Sequence, residues 1–179
     1  VDYNNKRIFY KDATSISFDS TATSSTIYGI PAGTSYVYRL SIISEKETIS
    51  VSLSASKDES KAKDNWVKLV GLTCNLIEPL VVKRIVDRIF KHGETVKFGE
   101  VEFTKEGYSK MKFKLFGKNE KLMVSWNETI FIPKMYQGQV ILWKDKNGES
   151  EQFASIPMSA PNAVVLPELV QACYDNREK

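Results

Sequence analysis

Cysteine and histidine are scarce in this sequence. The 179 residues include only two cysteines, Cys74 and Cys173, and one histidine, His92. Two cysteines cannot form the multi-bridge framework that holds small secreted domains together. With a single histidine they also supply too few ligands for a four-ligand zinc site without carboxylates. Both cysteines lie in apolar stretches with helical spacing, where a free thiol packs as a small hydrophobe. We therefore expect a reducing, cytoplasmic setting.

Long apolar runs are missing as well. No stretch approaches the roughly 20 consecutive apolar residues that a membrane-spanning helix requires. The first residues also lack the charged-then-apolar pattern of a secretory signal. These absences predict a soluble, cytoplasmic chain, with peripheral attachment to a membrane as the alternative.

Neither sign of charge dominates the composition. The chain has 25 Lys and Arg residues against 22 Asp and Glu residues, a net charge of +3. Nucleic-acid-binding domains usually concentrate a strong basic excess on one face. We therefore expect no nucleic-acid partner, whereas a weakly anionic partner remains compatible with the composition.

Recognisable catalytic signatures are absent from the sequence. It contains no nucleophile elbow, phosphate-binding glycine loop, dinucleotide-binding glycine pattern or HExxH metal motif. His92 follows Lys91 and precedes Gly93 at the predicted end of a helix, where an imidazolium interacts favourably with the helix dipole. We therefore predict no catalytic residue, no metal site and no cofactor. An enzyme whose site is assembled from distant loops is retained as a second alternative.

The residues that are abundant indicate strands. β-Branched and aromatic residues are dense in residues 6–55 and 95–157, with turn residues between short segments. In residues 36–43, four apolar side chains recur with a period of two: Tyr36, Tyr38, Leu40 and Ile42. This alternation predicts strands with one buried face. A single strand is predicted over residues 96–103.

Helical spacing appears in two places. Residues 64–92 predict two helices with a break near Pro79, because proline fits the first turn of a helix but not its interior. The second of these helices has the clearest apolar stripe in the sequence and stops at Gly93. A last helix is predicted over residues 162–174. The fold class is therefore expected to be α+β and β-rich.

Short matches between the two halves suggest an internal duplication. They are FYKDA at residues 9–13 with FTKEG at 103–107, Ile-Pro at 30–31 with Ile-Pro at 132–133, and residues 66–70 with 166–170. We predict two units, residues 1–93 and 94–179, each an antiparallel sheet followed by a C-terminal helix. The first unit differs in its Pro-interrupted helical segment and in a Ser/Thr-rich stretch at residues 19–26.

The second half carries a family resemblance. Its residues are GEVEFTKEG at 99–107, VSW at 124–126 before a hairpin containing Gly138, and PNA at 161–163 before the last helix. This half resembles bacterial pleckstrin-homology-like (PH-like) domains, and the first half resembles them more loosely. The resemblance implies a tandem of two PH-like units.

One lysine-rich segment is the candidate ligand-binding site. Alternation in residues 110–115 predicts that Lys110, Lys112 and Lys114 share one strand face, and Lys118 and Lys121 follow across a turn. By analogy, lipid-binding PH domains place basic residues around a hairpin to hold inositol phosphates. The competing interpretation, which the sequence favours, is an edge strand whose lysines prevent aggregation.

The functional hypothesis is a non-enzymatic binding or scaffolding module. Its expected partner is a protein or peptide that binds along an exposed sheet edge, because strand addition needs only free backbone groups and neighbouring apolar side chains. Peripheral binding of anionic lipid headgroups through the five lysines is the alternative.

Overall fold

The structure, a computed structural model, describes residues 1–28, 30–55, 59–113, 118–129 and 132–178. The chain divides into two compact units, Val1–Val81 and Val82–Lys179. The division lies inside a helix and precedes the predicted boundary after residue 93, which follows the end of that helix. No helix in the described ranges is long and apolar enough to cross a membrane.

The first unit is built on long antiparallel strands. Two short strands, β1 (Asp2–Tyr3) and β2 (Lys6–Arg7), pair with each other. A three-stranded sheet follows, in the order β3 (Ala13–Ile27), β4 (Ile30–Ser44) and β5 (Thr48–Ala55). The predicted alternation is present, because Tyr38, Leu40 and Ile42 are buried along β4.

The hairpin of β3 and β4 is longer than the strand that flanks it. Ala55, the last residue of β5, pairs with Tyr36, and Tyr36 pairs with Ala22 on its other side. Within the described part of the chain, residues 23–28 and 30–35, which we call the arm, therefore form a ribbon of two strands. All side chains of residues 20–26 are exposed.

Two consecutive helices follow the sheet, as predicted. They are α1 (Ser60–Leu76) and α2 (Glu78–Phe90), and the break at Ile77 precedes Pro79. The indole of Trp66 in α1 contacts two aromatic rings of the sheet, with centroids 5.9 Å from Phe18 and 5.7 Å from Tyr38. These contacts dock α1 on the face of the sheet that carries the alternating apolar residues.

The second unit contains two antiparallel sheets and a C-terminal helix. The first sheet has the order β6 (Val96–Phe98), β7 (Val101–Phe103), β8 (Gly107–Lys112) and β9 (Glu120–Ser125). The second has the order β10 (Lys134–Tyr136), β11 (Gln139–Lys146) and β12 (Glu149–Pro157), and α3 (Leu166–Asn176) closes the unit. The single strand predicted over residues 96–103 is wrong, because Gly99 adopts a positive φ of 58° and turns the chain between β6 and β7.

An aromatic cluster forms the core of the second unit. Phe103 and Tyr108 stack with centroids 5.6 Å apart, and Trp126 lies 5.6 Å from the Tyr108 ring. Phe153 of β12 meets the Tyr108 ring edge-on at 5.3 Å, which joins the second sheet to the first. Leu166, Leu169, Val170 and Cys173 bury one side of α3. The prediction of an α+β, strand-rich chain with antiparallel sheets and a C-terminal helix is thus confirmed.

The residues matched between the halves occupy unlike positions. Phe9 is exposed and lies before a 3-10 turn at Tyr10–Asp12, whereas Phe103 is buried in β7. Leu69 and Leu169 both lie on helices, but α1 follows a three-stranded sheet and α3 follows seven strands in two sheets. These positions give the duplication no structural support, and the tandem organisation stays a prediction from the sequence matches alone.

Two buried tyrosines make the folded state sensitive to alkaline pH. The Tyr38 hydroxyl donates a hydrogen bond to the Glu59 carboxylate, which raises the pKa of Tyr38 to about 12. Burial raises the pKa of Tyr108 to about 12, and its hydroxyl donates to the carbonyl of Trp143. Both pKa values lie above the ordinary value of 10.0.

We expect the free energy of unfolding to fall as pH rises from 10 towards 12. A raised acid pKa stabilises the fold fully below the unfolded pKa, and this stabilisation disappears as the pH approaches the folded pKa. Urea unfolding at a series of pH values measures the slope. The double variant Tyr38→Phe/Tyr108→Phe should have a shallower slope in this range, and an unchanged slope would contradict the assignment.

Candidate functional site

The lysines of the predicted site lie in and near the hairpin of β8 and β9. Lys110 is on β8 and only 23% of its side chain is exposed; its ammonium lies 5.3 Å from the Phe153 ring centroid and 3.7 Å from a Glu100 oxygen. Lys112 and Lys118 are exposed. Lys114 lies outside the described residues.

Lys121 belongs to a different group of charges. It lies on β9, 3.9 Å from a carboxylate oxygen of Glu102, whose other oxygen is 2.9 Å from the Lys97 ammonium. The hydrogen bond from Lys97 holds the pKa of the Glu102 carboxyl below its usual range. Lys121 therefore already has a carboxylate partner and is not an open anion site.

The strand register separates the lysines onto two faces. Lys110 pairs with Leu122, whereas Lys121 pairs with Met111. Residues directly opposite each other in an antiparallel pair share a face, and consecutive residues of one strand alternate faces. Lys110 and Lys121 thus project from opposite faces of the sheet. The structure keeps Lys110 and Lys112 on one face, as predicted, but does not bring Lys121 to them.

The competing interpretation of these lysines also needs correction. In the order β6-β7-β8-β9, β8 lies between β7 and β9. Lys110 therefore does not guard an edge strand, because it pairs with Val101 of β7 on one side and with Leu122 of β9 on the other. Lys112 lies beyond the last β8 residue that pairs with β7, so at Lys112 the strand pairs with β9 alone in the described residues. The sequence could not reveal this, because the position of a strand within a sheet depends on pairing with segments distant in sequence.

Groups suited to catalysis are few and separated in the described structure. His92 is exposed just beyond the end of α2. Burial raises the pKa of the Cys173 thiol to about 12, so a nucleophilic thiolate is disfavoured at this position. Among the residues that the structure describes, no group of three or more His, Cys, Asp or Glu residues is placed to hold a metal ion.

The outer edge of β3 is a site that the sequence prediction missed. Within the described residues, β3 pairs with β4 alone, and the sequence STATSSTI at 20–27 contains no charge, proline or glycine. Natural edge strands are usually protected by charges, proline, bulges or short length. From residue 20 to residue 25 this edge has none of these protections, because the one bulge in this part of β3 falls between Ser25 and Thr26. The sequence signal that could have indicated this edge is a segment rich in threonine that contains no turn residues.

Comparisons of this chain with models of protein families, with curated proteins and with solved structures found no match.

Proposed function

We propose that this chain is a non-enzymatic binding or scaffolding module, and that residues 94–179 form a PH-like unit. The support for this fold is the order of its elements: a four-stranded antiparallel sheet, a three-stranded antiparallel sheet and a C-terminal helix. The support for a role in binding is the unprotected edge of β3.

The proposed partner is a protein that adds a strand to the outer edge of β3. The observation that supports this proposal is that every side chain from Ser20 to Thr26 is exposed and uncharged. Alternate backbone amides and carbonyls of an edge strand point away from its sheet and are available to an incoming strand. Strand addition uses these groups for affinity and uses neighbouring side chains for specificity.

The two-stranded state of the arm strengthens this argument. An isolated two-stranded hairpin is marginally stable in water, and a third strand gives substantial additional stability. On the other edge of the arm, Pro31 lacks an amide donor and Gly33 adopts a φ of 128°. The edge of β3 is therefore the better position for a third strand.

The lysines give less support to the lipid alternative. Anionic headgroups bind most strongly where several basic residues act together near one surface. Here Lys110 and Lys121 project from opposite faces and each lies near a glutamate. We therefore put forward binding of a protein partner as the function.

Site-specific photo-crosslinking tests the proposal. A benzophenone side chain at Thr23 should capture a partner in native host cells, and the same group at Ser52 on β5 is the control. Both positions are exposed and both strands are at an edge of the sheet. An adduct pattern at Thr23 indistinguishable from that at Ser52 would reject the proposal.

Binding of the purified captured protein provides the quantitative test. The variant Thr21→Lys/Thr23→Lys should weaken binding about tenfold or more, which corresponds to about 1.4 kcal/mol. The matched variant Ser52→Lys/Ser54→Lys adds the same charge to β5 and should bind like the wild type. If the captured protein is a second copy of the chain, the first variant should shift a dimer to a monomer in analytical ultracentrifugation, and the second should not.

A further inference from the structure

A cavity of about 200 Å³ lies between α1 and the three-stranded sheet of the first unit. The sheet contributes Leu40, Ile42 and Ile49, which are buried, and α1 contributes Leu69, Leu72 and Leu76. We propose that this cavity binds a single alkyl chain. This site is separate from the β3 edge and does not depend on the proposed strand addition.

The lining chemistry selects an apolar ligand. None of the side chains that line the cavity in the described structure carries a charge. The Thr73 hydroxyl, one of the polar groups in the lining, donates to the carbonyl of Leu69 at 2.8 Å. The α-ammonium of Val1, which also lines the cavity, donates to the carbonyl of Ile8. A strongly polar ligand would therefore lose its hydration here for few hydrogen bonds in return, which is unfavourable.

The size and shape of the cavity favour a chain. An apolar cavity of about 150 Å³ is large enough to bind benzene, so a slightly larger one holds a comparable number of methylene groups. The α1 side of the lining runs from Leu69 to Leu76, a distance of about 10 Å at 1.5 Å per residue. An alkyl chain laid along the helix fits this elongated lining.

Two of the helix residues that line the cavity also reach solvent. Leu72 is 58% exposed and Leu76 is 42% exposed, although both line the cavity. Leaving these apolar side chains in water is unfavourable. The part of an alkyl chain that extends beyond the cavity would cover them. The ligand is therefore expected to enter between these two leucines, with its polar end outside.

Fluorescence titration with cis-parinaric acid, a linear fatty acid, tests the proposal on the full chain. We expect a saturable rise in fluorescence with the wild type. Leu72→Glu should weaken binding about tenfold or more, because it places a charge at the cavity rim. Val67→Glu is the matched control: Val67 is 61% exposed on the same helix but does not line the cavity.

Circular dichroism establishes that both variants fold. A signal that does not saturate, or an equal loss of binding in both variants, would overturn the proposal. Co-sedimentation with phosphatidylcholine vesicles shows whether the bound alkyl chain comes from a membrane lipid or from a free fatty acid. Sedimentation of the wild type but not of Leu72→Glu indicates a membrane lipid. Binding of parinaric acid without sedimentation indicates a free fatty acid.

Discussion

Replacing Gly107 by alanine should destabilise the second unit by about 3 kcal/mol or more, at the upper end of the range for overpacking. Gly107 in β8 pairs with Ser125 in β9. A Cβ atom at this position would lie 2.0 Å from the Val124 carbonyl oxygen and 2.9 Å from the Ser125 Cα. The obstacle is backbone of a hydrogen-bonded strand, so the strain cannot be relieved by rotating a side chain.

Gly71 provides the matched control for this substitution. It lies inside α1, and a Cβ atom there would have no heavy atom within 4 Å. Gly71→Ala should stabilise the first unit by about 0.5–1 kcal/mol, because alanine loses less backbone entropy in a helix. Urea unfolding followed by circular dichroism measures both changes. Stability of Gly107→Ala within about 1 kcal/mol of the wild type would contradict the close approach of β8 and β9.

Removing the Trp126 side chain is the second substitution with a large expected effect. Trp126 is 2% exposed, its indole N–H donates to the Thr104 carbonyl at 3.0 Å, and its ring contacts Phe103 and Tyr108. Trp126→Ala should cost about 3–5 kcal/mol through lost burial and the remaining cavity. Trp126→Phe retains most of the packing but leaves the carbonyl without this donor, and should cost about 1–3 kcal/mol.

The variant Trp143→Phe tests whether the lost hydrogen bond accounts for the expected cost of Trp126→Phe. Its indole nitrogen is buried and, within the described structure, has no hydrogen-bond partner. Trp143→Phe removes an unsatisfied donor and should change the free energy of unfolding by less than about 1 kcal/mol. Thermal and urea unfolding of the three variants provide the measurement. If Trp126→Phe and Trp143→Phe lower the free energy of unfolding equally, the hydrogen bond from Trp126 to Thr104 does not stabilise the fold.

Features that depend on local periodicity were predictable. The break between α1 and α2 before Pro79 follows from the missing amide and fixed φ of proline. The buried faces of β4 and α3 follow from apolar periods of two and 3.6.

Features that depend on pairing between distant segments were not predictable. The sequence placed Lys110 and Lys112 on one face correctly, but the relation of Lys121 to them depends on the register of β8 with β9. A shift of one residue in that register would move Lys121 to the opposite face. The same limitation applied to β8, whose internal position requires partners on both sides.

The sequence by itself determined the class of this protein: an α+β chain rich in antiparallel strands, with amphipathic helices. It did so because helix and strand periods are properties of consecutive residues. The tertiary structure alone decided which surfaces remain available. The edge of β3 is open because, within the described residues, no strand pairs with β3 on the side away from β4. The apolar cavity exists because the side chains of α1 and the sheet do not fill the space between them. Both depend on how separate elements pair and how closely they pack, which no local pattern specifies.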